Sequence, residues 1–199
     1  MKKLFLLTVS IILIFNSSFA VKYNSEPKIF ITELVNDAIK TLSDKSISKE
    51  KKEEDIKKIA KENVDIYALG LYSLGELRKS LDEVSLKKYH IVFEQYFLKS
   101  LTSRLTDYSA NKFEVLKAEQ KSAKYTIVNS RIVESSSQPE IKIDWRVYTK
   151  DPLKPLIRDL RVAGVSMAKL QKEEFGSILE SNNNDINALF AKLEEFIKN

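Results

Sequence analysis

Hydrophobic positions along this chain change period at one point, and that change divides the sequence. From Pro27 onward Ile29, Phe30, Ile31, Leu34, Val35, Ala38, Ile39 and Leu42 recur at helical spacing, and a proline is tolerated in a first helical turn. A charged helix follows, capped by Ser46 or Ser48, with a narrow apolar stripe of Ile56, Ile59, Ala60 and Val64. Asp65 then caps a short apolar helix, Ile66 to Leu74, which Gly75 ends. The spacing next predicts a long helix from about Ser85 to Tyr108, with Leu86, Tyr89, Phe93, Tyr96, Phe97, Leu101, Leu105 and Tyr108 on one face.

From Lys112 the period becomes two. Phe113 and Val115 open a strand, and Tyr125 to Val133 form a second. In a third, Ile141, Ile143, Trp145 and Val147 alternate with Lys142, Asp144, Arg146 and Tyr148, while Leu156, Leu160 and Val162 lie on a fourth. Turn signals at Gln120–Ser122, Ser135–Pro139 and Asp151–Pro155 separate them, so an antiparallel meander ending at Gly164 is expected. Helical spacing returns in Met167, Leu170, Phe175, Ile178 and Leu179, breaks at Asn182–Asn184, and closes with Ile186, Leu189, Phe190, Leu193 and Ile197. Helices, then a sheet of four strands or slightly more, then helices describe a single α+β domain. Its helices should pack on the sheet's apolar face and leave the polar face to water.

The first twenty residues stand outside this plan. Lys2 and Lys3 precede an apolar run from Leu4 to Phe15, and small residues at Ser18 and Ala20 complete a secretory leader cleaved after Ala20. The run falls short of the roughly 20 apolar residues that span a bilayer. Export through such a leader places the rest of the chain, 21–199, in the periplasm as a soluble protein.

Composition narrows the chemistry. The 199 residues contain no Cys and one His, which excludes disulfides, thiol nucleophiles, zinc–thiolate sites and paired-His mechanisms. Four glycines leave no phosphate-cradling loop. The net charge of +5 falls further once Lys2 and Lys3 leave, and the Lys-rich stretch from Asp44 to Glu62 is interleaved with acids and lacks aromatic residues, so nucleic acid is not an expected partner. His90 lies off the apolar face of its helix, Glu173 and Glu174 do not face each other, and no nucleophile elbow or carboxylate cluster with metal spacing occurs. No catalytic residue, metal or cofactor is assigned. The chain reads as a binding protein.

A resemblance then becomes specific. Asp65-Ile66 with Leu74-Gly75, Tyr89 to Phe97 running into Ser103-Arg104-Leu105 and Tyr108-Ser109, Phe113-Glu114-Val115-Leu116, Ser130-Arg131-Ile132-Val133 and Ile143-Asp144-Trp145-Arg146 follow one another in order. They lead to Asp159, Gly164-Val165-Ser166-Met167, Gln171, Phe175, Ser177-Ile178-Leu179, Asn182, Asp185 and Ala188-Leu189. In this order and spacing the chain resembles the MlaC, or toluene-tolerance, family of periplasmic phospholipid-binding proteins. It departs from the family pattern at Arg78, Pro155 and Ala163.

The resemblance implies a carrier that holds a glycerophospholipid by its acyl tails in a cavity between sheet and helices. Such a carrier passes lipid between an outer-membrane lipoprotein complex and the MCE-domain subunit of an inner-membrane ABC transporter, and so maintains outer-membrane lipid asymmetry. Under that reading the cavity wall is drawn from Phe93, Phe97, Leu101, Ile143, Trp145, Val147, Leu160, Val162, Val165, Met167, Phe175 and Ile178. The same periodicity equally describes residues of a closed core. Arg131 and Arg146 are candidates for the headgroup phosphate, beside the plainer reading that they face solvent from the sheet. Two other classes stay open: an exported protein-interaction module with a closed core, and an ester hydrolase using His90 as its base.

Overall fold

The computed structural model describes residues 23–105, 112–133 and 139–199, without the side chain of Arg104. The leader, Tyr108, Ser109 and the Ser135–Ser137 turn lie outside the described residues. Helix α1 spans Pro27–Ser43, and the Glu26 carboxylate before it accepts hydrogen bonds from the Lys28 and Ile29 amides at 3.1 and 2.8 Å. Ser48 caps α2, Lys49–Asn63, and Asp65 caps α3, Ile66–Ser73, by accepting from the Ala68 amide at 3.1 Å. Gly75, at φ +59°, carries the chain out of α3 into a 3-10 turn, Gly75–Lys79, in a conformation that a β-carbon disfavours. The long helix α4 covers Glu83–Leu105. It is buried on a broader arc than its expected stripe, since Val92, Leu98 and Thr102 are also buried.

Among the described residues the five strands are β1 Phe113–Ser122, β2 Tyr125–Ile132, β3 Ile141–Tyr148, β4 Leu156–Val162 and β5 Val165–Ser166, joined antiparallel in chain order. The meander does not end at Gly164. Ala163 and Gly164 have φ of +48° and +84°, a tight turn with two left-handed residues that folds β5 back so that Val165 pairs with Val162. Helices α5, Met167–Glu180, and α6, Ile186–Lys198, complete the α+β domain.

Register sorts the sheet into two faces. Val128 pairs with Trp145, Ser130 with Ile143, and Ile132 with Ile141, while Trp145 and Ile143 pair onward with Leu160 and Val162, giving one apolar face. On the other face Asn129 pairs with Asp144, and Arg146 with Asp159. A bulge between Arg146 and Val147 breaks the alternation, so Ile157 rather than Arg158 lies opposite Val147 and is buried, and Leu156 turns to the other face opposite Tyr148.

The helices do not all gather on the apolar face. Helix α1 packs there, through Phe30, Ile31 and Leu34 against Val128, Val147 and Ile157. Helices α3 and α5 instead meet β4 from the polar side. The Arg158 guanidinium pairs with Asp65 at 2.7 Å, and Asp159 accepts from the Ser166 hydroxyl at 2.7 Å and the Ala168 amide at 3.0 Å. The polar face is therefore only partly open to water. The bulge supplies the reason, because it places Arg158 and Asp159 consecutively toward these helices.

Candidate functional site

Among the described residues, buried hydrophobic side chains form two clusters. The larger is helical: Phe93 is 2% exposed and Phe175 1%, with ring centroids 6.1 Å apart, and Tyr89, Tyr96, Leu98, Leu179, Leu189, Phe190 and Leu193 close around them. Phe97, Leu101 and Ile178 are partly buried against the same cluster. Gly70 makes room for it, since a β-carbon there would stand 2.9 Å from the Phe93 ring. The Tyr89 hydroxyl, pushed well above the usual phenol range by burial, donates to the Gly70 carbonyl at 3.0 Å.

The smaller cluster joins α1 to the sheet. It contains Val147 at 0% exposure, with Trp145 partly buried beside it. The Trp145 indole N–H donates to the Ser130 hydroxyl at 2.8 Å, and that hydroxyl donates to the Ile143 carbonyl at 3.0 Å. This chain of bonds satisfies polar groups inside the apolar face and fixes the indole to the neighbouring strand. Beyond the reach of α1 the same face continues through Ile132, Ile141, Ile143, Leu160 and Val162. These are half-buried and belong to neither cluster.

The twelve expected wall residues are thus not brought together in one place. Phe93, Phe97, Leu101, Phe175 and Ile178 serve the helical cluster, Val147 and Trp145 the sheet cluster, and Ile143, Leu160 and Val162 the half-covered face. Met167 is half-buried at the start of α5, and Val165 is 52% exposed on β5. Sequence reasoning passed over Ile132 as a wall residue. Its pairing with Ile141 is a matter of cross-strand register, which one strand's alternation does not display.

Both candidate arginines occupy the polar face. Arg131 is held by two carboxylates, Glu114 at 2.8 Å and Glu140 at 2.9 Å. Arg146 lies over the Tyr125 ring, 4.2 Å from its centroid. His90 stacks on Tyr67 with centroids 3.9 Å apart. Its Nε2 is buried without a hydrogen-bond partner, and desolvation lowers its pKa below 6.5. Glu173 pairs with Lys169 and Glu174 accepts from Gln171. No group of three His, Asp or Glu residues suited to a metal occurs among the described residues, and no helix there is long and apolar enough to cross a membrane.

The family model described as MlaC protein matches residues 32–195. Among solved structures, the phospholipid-binding protein from Ralstonia solanacearum in complex with a phospholipid is similar. Its TM-score is 0.70 at 12% identity, over 88% of this chain and 97% of that one. At that identity the likeness concerns the fold. Curated proteins give no match.

Proposed function

Because this chain belongs to the MlaC family, we propose that it carries a glycerophospholipid, holding the acyl tails against the part of the apolar sheet face that α1 leaves half-covered. Ile143, Trp145, Leu160 and Val162 form the floor of that seat on the sheet. Phe93 and Phe175 belong to the helical cluster as closed core, with Phe97 and Leu101 packed against it. The observation that carries this reading is the half-burial of a continuous apolar strip running across β2, β3 and β4, on a face whose other end is sealed by α1. A strip of that kind wants an apolar cover. A phospholipid-bound protein of the same fold adds support.

The energetics explain why such a carrier is useful. A diacyl lipid exposes about thirty methylenes, and at about 0.8 kcal/mol each their transfer into water costs on the order of 20 kcal/mol. An apolar surface with modest closure offsets most of that cost and needs no nucleophile, metal or cofactor. The protein in this reading is a carrier rather than an enzyme, with the phospholipid as cargo. It works in the periplasm after removal of residues 1–20. There it passes lipid between an outer-membrane lipoprotein complex and the MCE-domain subunit of an inner-membrane ABC transporter, maintaining outer-membrane lipid asymmetry. Mass spectrometry of the protein purified gently from cells should find phospholipid bound at about one molecule per chain. Protein that is folded and free of lipid after such a preparation would overturn the reading.

A further inference from the structure

On the polar face of the sheet, across from the apolar strip, a cleft of about 250 Å³ opens between β3, β4, α3 and the first turn of α5. Arg146, Arg158, Arg161 and Lys169 line it, against Asp159 as the sole lining carboxylate among the described residues. Asp65 neutralises Arg158 at 2.7 Å, and Glu173 stands 3.4 Å from Lys169. Arg146 and Arg161 have no carboxylate partner among the described residues.

The carboxylates that register places beside these two arginines are engaged elsewhere. Asp159, opposite Arg146, accepts from Ser166 and the Ala168 amide, and Asp144, opposite Arg161, accepts from the Asn129 side-chain amide at 2.6 Å. Both nearby anions are thus satisfied by neutral donors while the cations are left to each other. Arg146 and Arg161 are diagonal neighbours on one face, a relation that sets side chains roughly 7–8 Å apart and lets two guanidiniums converge on one oxyanion. Arg146 is further steadied on the Tyr125 ring, and the Tyr125 hydroxyl accepts from Arg158 at 3.0 Å. The α5 N-terminus takes no part, because its Ala168 and Lys169 amides are already bonded to Asp159 and Ser166.

We propose that this cleft binds a phosphate oxyanion, with Arg146 and Arg161 as its paired charge contacts. The inference goes beyond the carrier reading and does not depend on it, since the tails lie on the opposite face. Phosphate reaches such a site either as a free ion or as the headgroup of a lipid in a membrane surface.

Titration of the protein with inorganic phosphate at constant ionic strength, followed by NMR of the arginine Nε–H groups, should give saturable shifts at Arg146 and Arg161. Arg131, held by Glu114 and Glu140, should stay unmoved. Arg146→Gln and Arg161→Gln should each weaken binding by about tenfold, and Arg161→Lys, which keeps the charge and loses the fork, by less. Co-purified lipid should be unchanged in Arg161→Gln, which separates this site from the carrier reading. Phosphatidylglycerol vesicles that bind with the same arginine dependence and are displaced by phosphate identify a membrane headgroup as the source. Phosphate binding without vesicle binding identifies the free ion. Absence of saturable shifts, shifts that persist in both Gln variants, or saturation by poly-glutamate but not by phosphate would each overturn the proposal.

Discussion

The helical cluster around Phe93 and the apolar sheet face around Trp145 are built from the same residue types, yet one is closed and the other half open. In the cluster, α3, α4, α5 and α6 surround their aromatic rings on all sides: Phe93 has Tyr89, Tyr96, Phe97 and Phe175 as ring neighbours. On the sheet α1, with Ile59 of α2 packed beside it, covers one end of the apolar face and leaves the Ile143 and Val162 end half-buried. Hydrophobic residues therefore do two jobs in this molecule. The closed region sets the stability of the fold, and the half-covered region supplies the surface on which the proposed cargo would rest. Substitutions should separate the two.

The largest expected effect is in the closed region. Phe93→Ala should cost about 3–5 kcal/mol in urea unfolding, since it removes a ring packed on every side. Gly70→Ala should cost about 1–3 kcal/mol, because the added carbon would stand 2.9 Å from the Phe93 ring and overpacking outweighs the gain of about 1 kcal/mol in helix propensity. A stabilised Gly70→Ala variant would mean that the helical cluster has slack. Leu160→Ala, on the half-covered strip, should cost only about 1 kcal/mol but deplete the co-purified phospholipid. Equal lipid content in Leu160→Ala and wild type would break the division between the two regions. Tyr89→Phe should cost about 1 kcal/mol, as the Gly70 carbonyl it frees still accepts from the Leu74 amide at 3.2 Å.

The smallest effect concerns pH. Desolvation holds the folded pKa of His90 below 6.5, so from 6.5 down to that lower value the unfolded chain binds more protons and stability falls as pH falls. His90→Gln should flatten this slope in denaturation series between about pH 7 and about pH 5. An unchanged slope would place the dependence on other groups.

How much of this was legible in the sequence follows from the range of the interactions involved. Capping by Asp65 and Ser48, the proline at the start of α1, the glycine after α3 and the change of period at Lys112 are local, and the structure matches them. The bulge at Arg146/Val147 is a property of two strands, so neither the burial of Ile157 nor the exchange of Leu156 out of the core shows in β4 alone. The turn through Ala163 was obscured because a left-handed alanine carries no sequence signal, unlike the glycine beside it. At the candidate site, periodicity identified apolar positions without revealing which of them other helices would seal. Phe93 and Ile143 look alike in sequence and differ in cover. Arg131 and Arg146 looked equivalent as well, until Glu114 and Glu140 were found to hold the first.

Trp145 is the only tryptophan in the chain and stands on the half-covered apolar face, which makes its emission a direct reporter of what rests there. The decisive measurement is Trp fluorescence during titration with a phospholipid brominated along its acyl chains, since bromine quenches an indole only on contact. Tails seated on the sheet predict strong quenching that saturates at about one lipid per chain. Saturated lipid binding with the Trp145 emission undiminished would contradict the account.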